Sequence, residues 1–149
     1  MSDFDRPLTS RGRREAEAAG QFLVENELLP GRILCSAARR TKETLQHAGA
    51  SMLGFEDMVS FPDSLYSADS AGYLDIVRSV GDADTVLVIG HNPAIGDFAR
   101  MLAGSGDGTG RARLAAGFPT AAIAVIETGD GFAALAAGTG TLSAFWTPR

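Results

Sequence analysis

Only one of the 149 residues is cysteine and only two are histidine. A lone thiol cannot form an internal disulfide, which fits a reducing compartment and an expected cytoplasmic location. The two histidines, His47 and His91, lie far apart and lack cysteine partners, so neither a metal site nor a cofactor is expected. Positive charge is also scarce: 13 Lys and Arg against 18 Asp and Glu leave a net charge of −5, which argues against nucleic acid as a partner. No apolar run approaches the length of a membrane span, and the opening MSDFDRPLTS lacks the apolar core of a signal peptide. Repeats and low-complexity linkers are missing too, so residues 1–149 read as one domain large enough for a real core.

The most informative stretch is TVLVIGHNPAIG, from Thr85 to Gly96. Val86 to Ile89 form a short β-branched run that reads as a strand buried on both faces. Asn92 suits a helix N-cap and Pro93 the first helical position, so a helix is expected from Pro93 to Ala103. His91 then sits on the turn at the carboxyl end of a strand, where open α/β sheets place their ligands. The helix start adds free N–H groups and a positive dipole end, which prepare the turn for an anion.

A second strand–turn–helix unit precedes it. A first helix is expected from Ser10 to Glu27, capped by Thr9, with Ala16, Ala19, Gly20 and Leu23 as a small-residue inner face. Arg32 to Cys35 reads as a strand, and Ser36 as the cap of a helix from Ala37 to Ala50. Spacing by four places Ser36, Arg40 and Thr44 on one helical face. Arg40 is thus near the carboxyl end of its strand, from where its planar fork can reach towards His91 and grip a phosphate or carboxylate. His47 reads as structural or solvated. Residues 58–66 hold an edge strand, since Pro62 cannot donate to a ladder. Asp69 or Ser70 caps a helix to Val80. Residues 104–118 read as a mobile loop, and 120–127 as pairing with 132–137 through an Asp130-Gly131 hairpin. The alternation of strands and helices predicts a mostly parallel α/β sheet with a late antiparallel hairpin.

Two rival site classes fail on spacing. A cysteine phosphatase needs five residues between Cys and Arg, and Cys35 and Arg40 are separated by four. A nucleotide-binding loop follows a strand, whereas Gly104 to Gly110 follows a helix.

The ordered set of motifs resembles the histidine phosphatase superfamily, in its short, SixA-like phosphohistidine phosphatase branch. The segments are Asp3-Phe4-Asp5-Arg6-Pro7-Leu8-Thr9 with Gly12 and Ala16; Ser36 with Arg40 and Thr44; Gly90-His91-Asn92-Pro93; and Phe118-Pro119-Thr120. The family usually has proline where this chain has Ala37. The resemblance implies a three-layer α/β/α sandwich of the phosphoglycerate mutase type. It implies that His91 and Arg40 hold the phosphoryl oxygens, assisted by Asn92 and Arg6. Asp63, or Asp69, falls near where relatives place an acid.

The family's nucleophile is a histidine in an Arg-His-Gly or Arg-His-Ala motif that closes the first strand. No residue here corresponds to it, so the resemblance implies an N-terminally truncated domain that keeps the electrostatic half of the chemistry and lacks the attacking imidazole. In the family that strand lies between the one ending at His91 and the one at 120–127. Its loss would leave those neighbours facing unpaired backbone, or force them to pair directly. The expected function is therefore that of a phosphohistidine phosphatase-type hydrolase acting on a signalling phosphoprotein, with this chain itself inactive. Two alternatives stand beside it: a non-catalytic binder of phosphate or phosphoproteins, and a phosphatase of small phosphomonoesters if an upstream strand exists.

Overall fold

In the computed structural model, which describes residues 1–52 and 54–148, the alternating sides of short strands sort the apolar residues into layers. Strand β1 (Arg32–Cys35) pairs in parallel with β2 (Val59–Ser60) on one side and β3 (Val86–Ile89) on the other. Successive strand residues point to opposite faces. Ile33 and Cys35, with Leu87 and Ile89, therefore meet Leu45 of α2 (Arg39–Gly49). Leu34, Val86 and Val88 turn the other way, onto Tyr73 and Val77 of α3 (Ser70–Arg78) and Phe98 and Leu102 of α4 (Ala94–Leu102). Helix α1 (Ser10–Glu25) begins at Thr9, whose hydroxyl accepts from the Gly12 N–H at 3.0 Å, and packs along α2.

A second sheet has the order β4 (Ala103–Gly106), β6 (Gly140–Trp146), β5 (Ile123–Glu127). Here β4 and β6 run parallel, and β5 antiparallel to β6. Helix α5 (Gly108–Ala116) packs Leu114 against Leu142 and Phe145, beside Ala99 of α4. On the opposite face Phe22 of α1 stacks on Trp146, ring centroids 5.1 Å apart. Helices thus cover both faces, which makes the three-layer α/β/α architecture that the motifs imply.

Several local expectations are corrected. The partner of β5 is 140–146, not 132–137; Phe132–Ala134 forms a 3₁₀ turn and Leu135 drops into the core. The buried–exposed alternation of Gly140, Thr141, Leu142 and Ser143 suits a half-buried strand, whereas the alanine-rich FAALAA does not. The supposed loop 104–118 contains β4 and α5. Asp107 caps α5 by accepting from the Gly110 N–H at 2.7 Å, and Gly106, at φ 123°, lies so close to Leu142 that no side chain fits. Ser36 does not cap α2, because its hydroxyl is engaged elsewhere; Ala38 occupies the cap position without a side-chain bond. Asn92 is not a side-chain cap of α4 either, since Pro93 stands in that position and Asn92 reaches to another segment.

β3 is not buried on both faces. All four of its residues are only half-buried, because its outer edge meets no strand among the described residues. The facing edge of β5 is similarly half-buried. The two strands do not pair directly. Between them lies a cavity of about 1030 Å³, bordered by Val86 and Val88, by Ile123 and Ile126, by Leu23 of α1 and by Phe98 of α4. Its mouth opens at the carboxyl ends of β1 and β3, where Arg40 and His91 stand.

At the α1–α2 contact a Cβ on Gly20 would fall onto the Ala48 carbonyl, whereas one on Gly108 would meet nothing within 4 Å. Gly20→Ala should therefore lower stability by about 1–3 kcal/mol in urea denaturation, while Gly108→Ala stays within about 0.5 kcal/mol of the parent.

Candidate functional site

Parallel pairing of β1 and β3 brings two strand ends side by side. Cys35 stands opposite Ile89, so the next residues, Ser36 and the Gly90-His91 turn, emerge together. The Ser36 N–H bonds to the Ile89 carbonyl at 3.0 Å, which extends the ladder one step and aims the Ser36 hydroxyl at the turn. The His91 main-chain N–H donates to the Tyr73 hydroxyl at 3.0 Å, so α3 fixes the turn from below.

The ring of His91 is held at both nitrogens. Arg40 Nη2 lies 3.2 Å from Nδ1, and Ser36 Oγ lies 2.7 Å from Nε2. Arginine has donors and no acceptor, so Nδ1 must accept. The neutral ring then carries its proton on Nε2, directed at Ser36. Burial pushes the His91 pKa below its ordinary value, and the Arg40 cation pushes it further; Asp3 opposes them weakly.

Arg40 stands in the first turn of α2 and faces Asp3 as well as His91. Its Nη1 donates to the Asp3 main-chain carbonyl at 2.8 Å and its Nη2 to Asp3 Oδ2 at 3.1 Å. Tyr66 closes the group: its hydroxyl donates to Asp3 Oδ2 at 2.6 Å, and its ring stands edge-on to His91, centroids 5.3 Å apart. That hydrogen bond, followed by the Arg40 cation, holds the Asp3 carboxyl below its usual range, and the same bond raises the Tyr66 pKa. Arg6 grips the second Asp3 oxygen.

The structure therefore gathers Arg40, His91 and Arg6 at the cavity mouth, with Asn92 on its rim. Asn92 Nδ2 donates to the Phe118 carbonyl at 2.7 Å. Asp63 is exposed at the start of the 3₁₀ turn Asp63–Tyr66 and makes no hydrogen bond to Arg40 or His91. From that turn Tyr66 enters the site instead. Thr44 borders the cavity, but Ser36 precedes α2 and does not share a helical face with it. His47 is on the far part of α2, 3.4 Å from Glu17 of α1. Cys35 is fully buried and its thiol is pushed up to about 12, so it offers no thiolate. Among the described residues no group of His, Cys, Asp and Glu is placed to hold a metal ion, and no helix is long and apolar enough to cross a membrane.

Reading the sequence missed Asp3, Tyr66 and Tyr73. Each acts through a contact between distant segments, 63 residues apart for Asp3 and Tyr66, and no local pattern marks such a pair.

Comparison with known proteins places this geometry. The pattern of the histidine phosphatase superfamily (branch 1) matches residues 2–57. The uncharacterized protein ML1117 of Mycobacterium leprae is 36% identical over 151 residues, covering 100% of this chain and 91% of that protein. A solved structure from Nakamurella multipartitia, provisionally named phosphohistidine phosphatase SixA, superposes with a TM-score of 0.83 at 33% identity, over 99% of this chain and 88% of the other. One from Agrobacterium tumefaciens, with the same provisional name, gives 0.83 at 28% identity, over 99% and 87%.

The engaged imidazole has a measurable consequence. His91 should titrate below the ordinary value of 6.5, and Arg40→Gln should move its midpoint upward, both read from the ring proton signals by NMR. On acidification the unfolded chain takes up this proton before the folded one does. The contribution to stability is thus complete above about pH 6.5 and is lost as the pH falls through the lower, folded value. A falling melting temperature over that window checks it.

Proposed function

The chain belongs to the histidine phosphatase superfamily, and from that premise we propose that its site recognises the phosphoryl group of a phosphohistidine on a protein partner. The observation that carries this reading is the Arg40–His91 contact at the carboxyl ends of two adjacent parallel strands. A guanidinium fork and a neutral imidazole there can share the oxygens of one phosphoryl group. They would offset the charge that spreads over those oxygens during transfer.

Transfer in this family needs a second imidazole that attacks phosphorus and carries the phosphoryl group. The described site contains one imidazole, and both of its nitrogens are engaged; His47 is held at the α1–α2 surface. We therefore propose that this chain by itself binds and does not turn over. The place for the strand that bears the family's nucleophile is the cavity between β3 and β5. Two strand edges flank that cavity, and it opens on Arg40 and His91. A strand running parallel to β3 would deliver its last residue to that mouth.

That Asp63 makes no hydrogen bond to Arg40 or His91 is no obstacle to a phosphohistidine substrate. Its leaving group is an imidazole of pKa about 6.5, which departs with less proton assistance than an alkoxide. Wherever the family's nucleophile is in place, small phosphomonoesters have the poorer leaving group, which favours the phosphoprotein as the substrate class. The setting we propose is the cytoplasm, where the single buried thiol remains reduced.

A phosphohistidine-bearing protein incubated with the purified chain tests this reading. Binding is expected, with phosphate release no faster than the spontaneous rate, and Arg40→Ala should abolish the binding. Retention unaffected by Arg40→Ala would remove the site. Catalysed release that depends on Arg40 would keep the site and refute the absence of a nucleophile.

A further inference from the structure

The donors around Asp3 include Arg40 and Arg6, which the resemblance already assigns to phosphoryl oxygens, but neither that reading nor the proposed chemistry uses Tyr66 or Asp3 itself. Oδ2 accepts from the Tyr66 hydroxyl at 2.6 Å and from Arg40 Nη2 at 3.1 Å. Oδ1 accepts from Arg6 Nε at 3.0 Å and lies 2.8 Å from Arg6 Nη2. Two guanidinium groups and one phenol thus converge on a single anion, and the anion belongs to the chain itself.

Two of the three holders, Arg40 and Tyr66, are more firmly fixed than the held group, whereas the Arg6 side chain is 60% exposed. Arg40 is anchored against His91, and its side chain is only 24% exposed. Tyr66 is braced edge-on by Phe4, at 5.0 Å between centroids, and by His91. Asp3 instead stands in a three-residue 3₁₀ turn with no buried member, its side chain 51% exposed. Such a carboxylate can swing into water without disturbing either core, and an anion that takes over its hydrogen bonds makes good their loss. Charge-assisted bonds from a planar fork serve a phosphoryl group as well as a carboxylate.

We propose that Tyr66 joins Arg40 and Arg6 as a ligand of the phosphoryl group, and that the Asp3 carboxylate holds their place until substrate displaces it. This rests on the reading that Arg40 binds phosphoryl oxygens. Displacement moves one negative charge out as another arrives, so the cluster of cations is never left uncompensated. The exchange also weakens binding of any anion that cannot outbid a carboxylate already in place.

Inorganic phosphate, titrated calorimetrically into the full chain, is the probe. Asp3→Asn keeps the shape and the main-chain carbonyl but withdraws the competing charge, and should tighten phosphate binding about tenfold, the scale of one charge-assisted contact. Adding Tyr66→Phe to Asp3→Asn should then weaken it several-fold; thermal melts confirm that both variants are folded. An Asp3→Asn chain that binds phosphate no better than the parent overturns the exchange and makes Asp3 a prop for Arg40. Undiminished binding in the double variant removes Tyr66 from the site. Failure of both the parent and Asp3→Asn to bind phosphate also overturns the proposal. The underlying reading fails separately, if Arg40→Ala binds phosphate as the parent does.

Discussion

A cation set 3.2 Å from an imidazole nitrogen determines how everything near it can be arranged. Because Arg40 can only donate, the proton of His91 is confined to Nε2, and the ring must present that edge to an acceptor. Ser36 provides it from a fully buried position 55 residues away in the chain. The pairing would be costly to maintain on flexible elements. It is held by two adjacent parallel strands, β1 and β3, with a matched end at Cys35 and Ile89. The phenol of Tyr73 completes the support by satisfying the main-chain N–H of the same histidine.

The split of the sheet follows from equally simple constraints. Each half centres on its own core, the two sharing Ile126 and the first taking in Leu135, and each needs helices on both faces. Backbone groups on the facing edges of β3 and β5 escape the full cost of burial because the cavity between them opens to solvent at the site. The half-buried state of β3 and of residues 123–126 of β5 reflects this, although the Val-Leu-Val-Ile composition of β3 is that of a fully enclosed strand.

Those compositions explain which features could be read in advance. The strand at Arg32–Cys35, the cap at Thr9 and the helix begun by Asp69 are specified by residues within a few positions of one another, and the structure contains each of them. The pairing of β5 with β6 was not legible, since the Asp130-Gly131 signal describes a turn and says nothing about how far the returning strand lies beyond it. The roles of Ser36 and Asn92 were misread for a related reason. Both residue types favour helix caps, yet here tertiary partners, His91 and the Phe118 carbonyl, take their side chains. Arg40 and His91 were legible because each follows a strand of unmistakable pattern. Asp3 and Tyr66 follow none.

Helix α4 contributes Phe98 and Leu102 to one core and Ala99 to the other. Mechanically, the molecule is therefore a book with α4 as its spine and one sheet in each cover. The Asn92–Phe118 hydrogen bond fastens the covers like a clasp at the top of the opening, one residue from His91. Leu135 and Ile126 reach from the second half into the core of the first, so any motion that parts the covers loads the clasp and that core together, and the rim of the site registers it.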